Sequence, residues 1–147
     1  MGTADVQKLR EMTGAGVMEC KRALEDAKGD MDAAVALINE RGLLKAEKKK
    51  DRALGAGLLK SYIHNGRVGV LLEVRAETDF VVRSEPFQEL CHEVAMQIAA
   101  MDPADLTALL AQPYIKDDSI TMDAFVKRTT AKVGENIQVA RFCRYEL

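Results

Sequence analysis

An Asn-Gly pair between two apolar runs constrains the fold of this chain more than any other feature. Asn65 and Gly66 separate residues 58–63 from the apolar run that starts at Val68. Both residues tolerate positive φ, and this pair is the strongest short-range signal for a β-hairpin turn. The second run alternates at period two, although Leu71 places an apolar side chain on the polar face. The sequence therefore predicts two antiparallel strands that cover a core on one face.

The N-terminal part has the pattern of three short helices packed into little space. Two glycines within residues 13–16 interrupt the first helical stripe. Gly29 is a good C-terminal cap for the second helix, and Asp30 can cap the third. Gly42 is expected to end the third helix. Residues 1–42 are therefore predicted to form a small helical domain.

Two adjacent apolar residues follow the glycine-rich turn. Neighbours on a helix point about 100° apart, so Val17 and Met18 cannot both face inward. One of them is expected to be exposed. Leu9 and Leu24, in contrast, lie on the stripe that a bundle this small needs for its core.

A basic helical run joins this bundle to the hairpin. Residues 43–55 are expected to be a linker, because runs of charge between domains usually need no partner. Phosphate binding is the alternative, but the run lacks interleaved aromatic residues. Its cations are Lys45, Lys48, Lys49, Lys50 and Arg52.

Residues 56–147 are predicted to form one α+β core. Ser84 can cap an amphipathic helix that reaches Met101 and lies on the sheet, and Asp102 is expected to start a short helix after it. Thr121 can cap the last helix. The run 137–147 has the β-branched and aromatic content of a third antiparallel strand, and an exposed edge there could pair with a second copy.

Composition and motifs exclude several function classes. The 147 residues carry a formal net charge of -2, which gives no reason to expect direct nucleic-acid binding. No run is long and apolar enough for a membrane span or a signal peptide, so we expect a cytoplasmic protein. The three cysteines and two histidines suggest neither a disulfide framework nor a metal site. Cys91 and His92 are helical neighbours and point apart, so they are not a nucleophile and base.

Three stretches resemble the signatures of one protein family. Residues 9–24 are similar to the N-terminal signature of bacterial translation elongation factor Ts. Residues 77–81 resemble its second signature, and residues 134–142 resemble its closing strand. The matches stand in the family's order and span nearly the whole chain. The chain is therefore identified as a member of this family, in its short form.

The resemblance implies a guanine-nucleotide exchange factor for elongation factor Tu, with no catalytic site or cofactor of its own. It implies a UBA-like three-helix domain that docks on the GTPase, in its GDP-bound or nucleotide-free form, and a core that pushes a tip toward the Mg²⁺ and nucleotide site. The tip would be Thr78, Asp79, Phe80 and Val81. The docking residues would be Leu9, Arg10, Val17 and Met18.

The sequence departs from the family pattern in two respects. Arg75 and Ala76 stand before the tip where the family usually has Asn-Cys. Only one copy of the core is present, as in short members, and the resemblance then implies a homodimer through the core sheet. Whether Cys143 bridges that dimer is left open, and a buried thiol is expected in a reducing cytoplasm.

Two other function classes compete with exchange activity. A helical interaction module that binds ubiquitin-like or other helical partners would explain the bundle but would leave the tip unused. A degenerate enzyme could use Cys91 or Cys143. Loss of exchange on changing Phe80 separates the first class from exchange activity, and insensitivity to thiol alkylation dismisses the second.

Overall fold

The computed structural model describes residues 2–147 and divides them into a helical bundle and a sheet covered by helices. Within these residues, no helix combines the length and apolar character needed to cross a membrane. The arrangement confirms the predicted α+β fold class. The elements are α1 (Thr3–Thr13), α2 (Val17–Asp26), α3 (Met31–Lys49), β1 (Ala56–His64), β2 (Val68–Ala76), α4 (Asp79–Val82), α5 (Glu85–Met101), α6 (Leu106–Ala111), β3 (Pro113–Tyr114), β4 (Asp117–Thr121), α7 (Met122–Val133) and β5 (Ile137–Glu146).

The bundle consists of α1, α2 and α3. Gly14, at φ 71°, ends α1, and the Asp30 carboxylate caps α3 by accepting from the Ala33 N–H at 3.1 Å. The expectation that Gly42 ends α3 is wrong, because the helix continues to Lys49. Gly42 is buried where α3 packs on α7. This packing outweighs the low helix propensity of a single glycine.

The C-terminal run joins the hairpin as a third antiparallel strand, as predicted, and the strand order is β1-β2-β5. Asn65 and Gly66 adopt φ of 52° and 66° in the turn between β1 and β2. On β2, Leu72 and Val74 face the core, whereas Leu71 faces outward. The break in the alternation is therefore an apolar side chain on the outer face of the sheet.

Helix α5 covers the inner face of this sheet. Its buried stripe includes Phe87, Leu90, Cys91 and Ile98, which pack in the main core. Asp102, at φ 46°, ends α5, so the expectation that it starts the next helix is wrong. The cap of α6 is Asp105, whose carboxylate accepts from the Ala108 N–H at 2.8 Å. An aspartate before a helix and one after it look alike in sequence.

A second, small hairpin of β3 and β4 follows α6, and polar residues of α5 hold it. Buried Gln97 accepts from the Ile115 N–H at 3.0 Å and donates to the Pro113 carbonyl at 3.1 Å. The Tyr114 hydroxyl donates to the buried Glu93 carboxylate at 3.0 Å. This hairpin had no sequence prediction, because its two short strands lack a period-two pattern.

Candidate functional site

The segment after β2 forms a tip (residues 78–81) that presents one aromatic side chain. Thr78 caps the single-turn helix α4, and its Oγ1 accepts from the Val81 N–H at 3.4 Å. Phe80 is 82% exposed, whereas Val81 is only 4% exposed and packs in the core. Asp79 is exposed beside Phe80. Of the four tip residues named from the sequence, Val81 anchors the segment and the other three face solvent.

A carboxylate distant in sequence braces the start of the tip. Glu135 accepts from the Thr78 N–H at 3.0 Å and from the Thr78 hydroxyl at 2.7 Å. Glu135 follows Gly134, whose φ of 79° ends α7 and turns the chain toward β5. Each oxygen of the carboxylate therefore has its own donor on one residue of the tip.

The next residue ties the tip to the end of α3. Asn136 is buried, and its N–H donates to the Glu77 carboxylate at 2.7 Å. Its side-chain amide donates to the carbonyls of Lys50 at 3.2 Å and Arg52 at 2.9 Å. Sequence reasoning missed both Glu135 and Asn136. Both residues lie in the stretch 134–142 that resembles the family's closing strand, but the neighbouring sequence does not indicate which residues they contact.

The residues named as the docking face differ in exposure. Val17 and Met18 are 50% and 58% exposed, so both face solvent rather than one. Arg10 is also exposed, and its Nε donates to the Ala15 carbonyl at 3.4 Å. Leu9 is fully buried in the bundle core. This burial fits the core position predicted for Leu9, and its side chain is not exposed beside Arg10, Val17 and Met18.

The outer face of the sheet carries a second exposed apolar surface. The strand register places Leu71 of β2 between β1 and Cys143 of β5, and places Ile63 and Tyr145 on either side of Gly69. Ile63, Leu71 and Tyr145 are 65%, 46% and 79% exposed. We call Leu59, Ile63, Leu71, Cys143 and Tyr145 the outer sheet face.

The cysteines do not form a chemical site. Cys91 is buried among apolar residues, and this desolvation raises the pKa of its thiol to about 12. His92, its neighbour, is exposed. Among residues 2–147, no group of three or more histidine, cysteine, aspartate or glutamate side chains is arranged to hold a metal ion. Cys91 and His92 therefore lie in different surroundings, as adjacent positions on a helix require.

The chain is similar to known proteins of one family. The family model described as Elongation factor TS matches residues 77–147. The chain is 46% identical over 143 residues to Elongation factor Ts of Nostoc sp., covering 97% of this chain but 45% of the relative. It is 41% identical over 189 residues to Elongation factor Ts of Rippkaea orientalis, covering 97% of this chain and 76% of the relative. The corresponding protein of Thermotoga neapolitana is 38% identical over 186 residues, with 97% and 94% covered.

The relatives are longer than this chain. Alignments of 189 and 186 positions are longer than a chain of 147 residues, so the relatives contain stretches without a counterpart here. The chain also spans less than half of the Nostoc relative. Nevertheless, the similarity extends over nearly all of this sequence, at both the bundle and the tip. The chain belongs to the elongation factor Ts family.

Proposed function

We propose that this chain is a guanine-nucleotide exchange factor for elongation factor Tu in translation elongation. The observation that carries the proposal is Phe80, a large aromatic side chain held out in solvent on a segment that is anchored on both sides. Val81 fixes the segment from the core, and Glu135 fixes it from the turn before β5. An aromatic wedge needs such a mount, because it must displace packed side chains of a partner without being pushed aside.

The docking residues of the bundle and the tip residues have different tasks in this proposal. Arg10, Val17 and Met18 of the bundle dock on the GTPase, and Leu9 holds them in place from the bundle core. The tip enters near the Mg²⁺ and nucleotide site of the GTPase, where Asp79 and Phe80 disturb the coordination of the ion. Docking residues contribute affinity in this scheme, and tip residues contribute the rate of release.

The mechanism is thermodynamic linkage and involves no bond chemistry in this chain. Mg²⁺ bridges phosphate oxygens and protein ligands, so a distorted ion site loses nucleotide affinity. A protein that binds the nucleotide-free GTPase more tightly than the GDP-bound form must lower GDP affinity by the same factor. Faster GDP release follows when the ternary complex forms and decays rapidly. Such a role in translation places the protein in the cytoplasm.

The test is the release of a fluorescent GDP analogue from elongation factor Tu at increasing concentrations of this protein. The intact protein is expected to accelerate release to a saturating rate. Phe80→Ala should lower that rate at least roughly ten-fold, which corresponds to about 1.4 kcal/mol of lost stabilisation. Ile115→Ala is the control, because Ile115 is also an exposed apolar residue but lies on the small hairpin. A wild-type protein that binds without accelerating release would refute the exchange function.

The docking surface has a separate signature in the same assay. Met18→Ala should raise the concentration needed for half-maximal release and leave the maximal rate unchanged. Phe80→Ala should lower the maximal rate and leave the concentration needed for half-maximal release unchanged. If both substitutions change the same parameter, the division between docking and tip is wrong.

We further propose that the protein forms a homodimer through the outer sheet face. An antiparallel sheet with one face in water normally carries polar residues there. Here Leu59, Ile63, Leu71 and Tyr145 are exposed on that face, which supports burial against a second copy. A closed two-fold pairing would bury the same patch on both copies.

Light scattering at micromolar concentration tests the homodimer. The wild-type protein should have twice the mass of one chain, and Leu71→Lys should give a folded monomer. Ile115→Lys serves as the matched control, since it places the same charge outside the outer sheet face. A wild-type monomer refutes the homodimer. A dimer that survives Leu71→Lys moves the contact elsewhere, for example to the edge of β5.

A further inference from the structure

The tip helix cannot hold its own conformation. Helix α4 comprises only Asp79–Val82. A single turn fixes several backbone dihedrals for very few hydrogen bonds, so it is unstable unless other parts of the chain support it. The orientation of Phe80 therefore depends on residues outside the tip.

Glu135 supplies the support at the first residue of this turn. The Thr78 hydroxyl donates a hydrogen bond to Glu135 at 2.7 Å. This orientation leaves the lone pairs of Thr78 Oγ1 facing the Val81 N–H, which donates to Oγ1 at 3.4 Å. The Thr78 N–H is bound to the other carboxylate oxygen at 3.0 Å. Hydrogen bonds to an ionised acceptor are stronger than neutral ones. Glu135 thus holds both the backbone of Thr78 and the cap that orders the turn.

Asn136 extends this support to the bundle. Its backbone N–H holds Glu77, directly before the tip, and its side-chain amide holds the carbonyls of Lys50 and Arg52, directly after α3. The Arg52 guanidinium also lies 3.9 Å from the Glu77 carboxylate. Two segments far apart in sequence are therefore fixed to one pair of residues.

We propose that Glu135 and Asn136 are positioning residues that hold the tip in a fixed relation to the three-helix bundle. The bundle carries Val17 and Met18, so docking of the bundle then delivers Phe80 to one place on the partner. Neither Glu135 nor Asn136 has to touch the GTPase. This inference rests on the proposed exchange function for its consequence, but the geometry can be tested without it.

Hydrogen exchange of the tip amides tests the positioning directly. In the wild-type protein the Val82 and Arg83 N–H groups bond to the carbonyls of Thr78 and Asp79 at 3.2 and 3.1 Å. Glu135→Ala should make these amides exchange at least roughly ten-fold faster, while core amides stay protected. Asp123→Ala is the control, because it removes an acid from the opposite end of α7 that pairs with Lys127. Unchanged tip exchange in Glu135→Ala would overturn the inference.

Nucleotide release then tests the consequence. Glu135→Ala should lower the maximal release rate roughly five- to ten-fold, a change of about 1–1.4 kcal/mol, with little change in the half-saturating concentration. Glu135→Gln should restore most of the rate, because its amide can accept from the Thr78 N–H and donate to the hydroxyl. In a Phe80→Ala background, Glu135→Ala should have no further effect. Asp123→Ala should match the wild-type protein.

The outcomes separate the positioning role from general destabilisation and from the function itself. If Glu135→Ala slows release equally with Phe80 present or absent, Glu135 does not act through the tip and the inference fails. It also fails if the loss of rate only follows the loss of folded protein measured by circular dichroism. If the wild-type protein does not accelerate release at all, the exchange function fails, and tip exchange alone decides the positioning. Asn136→Ala removes only the side-chain bonds to the Lys50 and Arg52 carbonyls and keeps the backbone bond to Glu77, so it should lower the maximal release rate while tip exchange stays slow.

Discussion

The hydroxyl of Tyr114 offers a sharp test of how the small hairpin is held. It donates to Glu93 at 3.0 Å, and Lys116 Nζ donates to the other oxygen of the same carboxylate at 2.6 Å. The carboxyl group is buried under the β3–β4 hairpin. Burial, then the hydrogen bond and negative charge of Glu93, raise the pKa of Tyr114 well above its ordinary value. Tyr114→Phe removes one hydrogen bond and keeps the ring stacked on Phe125 at 4.5 Å between centroids.

The expected cost follows from what remains around the carboxylate. A hydrogen bond to a charged group contributes about 1.5–3 kcal/mol. Lys116 stays in place, so Glu93 is not left without a partner, and the cost should lie near the lower end, about 1.5–2 kcal/mol. For a chain of this size, that change lowers the Tm by about 3–8 °C.

Thermal unfolding followed by circular dichroism at neutral pH measures this difference. Tyr62→Phe is the matched control, because the Tyr62 hydroxyl also makes one hydrogen bond, at 3.0 Å to His64 Nδ1, but at an exposed site. Its effect should stay below about 0.5 kcal/mol. If both substitutions lower the Tm equally, or if Tyr114→Phe has no effect, the buried Glu93 carboxylate does not stabilise the hairpin as argued.

Three further predictions concern the thiols, the alkaline limit and one glycine. In the protein with its outer sheet face uncovered by Leu71→Lys, an alkylating reagent at pH 8 should modify exposed Cys143 quickly and buried Cys91 only on unfolding. The Cys91 thiol binds its proton more tightly when folded, so its stabilisation is complete below its ordinary pKa of 9.0 and is lost as pH rises toward about 12. The free energy of unfolding should therefore fall above pH 9, less steeply in Cys91→Ala. Gly57→Ala would put a Cβ 3.0 Å from the Val74 carbonyl oxygen, and should lower the free energy of unfolding in urea by about 1–3 kcal/mol. Gly16→Ala is the control and should lower it less, because its Cβ meets nothing within 4 Å among the described residues.

The parts of the fold that could be predicted are those that local sequence encodes. The Asn65-Gly66 turn, the strand after it and the α5 stripe each depend on residues within a few positions. The end of α3 could not be predicted in this way. Gly42 carries a local stop signal, but α7, about 90 residues later in sequence, packs on it and keeps the helix continuous.

The residues of the candidate site also differ in whether local sequence could predict them. Asp79 and Phe80 were named through a short motif. Helical geometry predicted that one of Val17 and Met18 is exposed, but not that both are. The bracing residues were not found, because Glu135 is 57 residues away from Thr78 and Asn136 is 86 residues away from Lys50. A motif identifies the side chains that we propose to act, whereas only the folded chain identifies the side chains that hold them.

Exposure alone does not single out Phe80. Leu147 is 87% exposed and Tyr145 is 79% exposed, values close to that of Phe80, and isolated apolar residues are common on protein surfaces. What distinguishes Phe80 is the order imposed on the turn that carries it. Ordering a residue costs conformational entropy, and here buried Val81 and the two hydrogen bonds from Thr78 to Glu135 offset that cost. Folding gains little from the exposed ring itself, so the ordered turn beneath it supports the proposal that Phe80 acts against a partner.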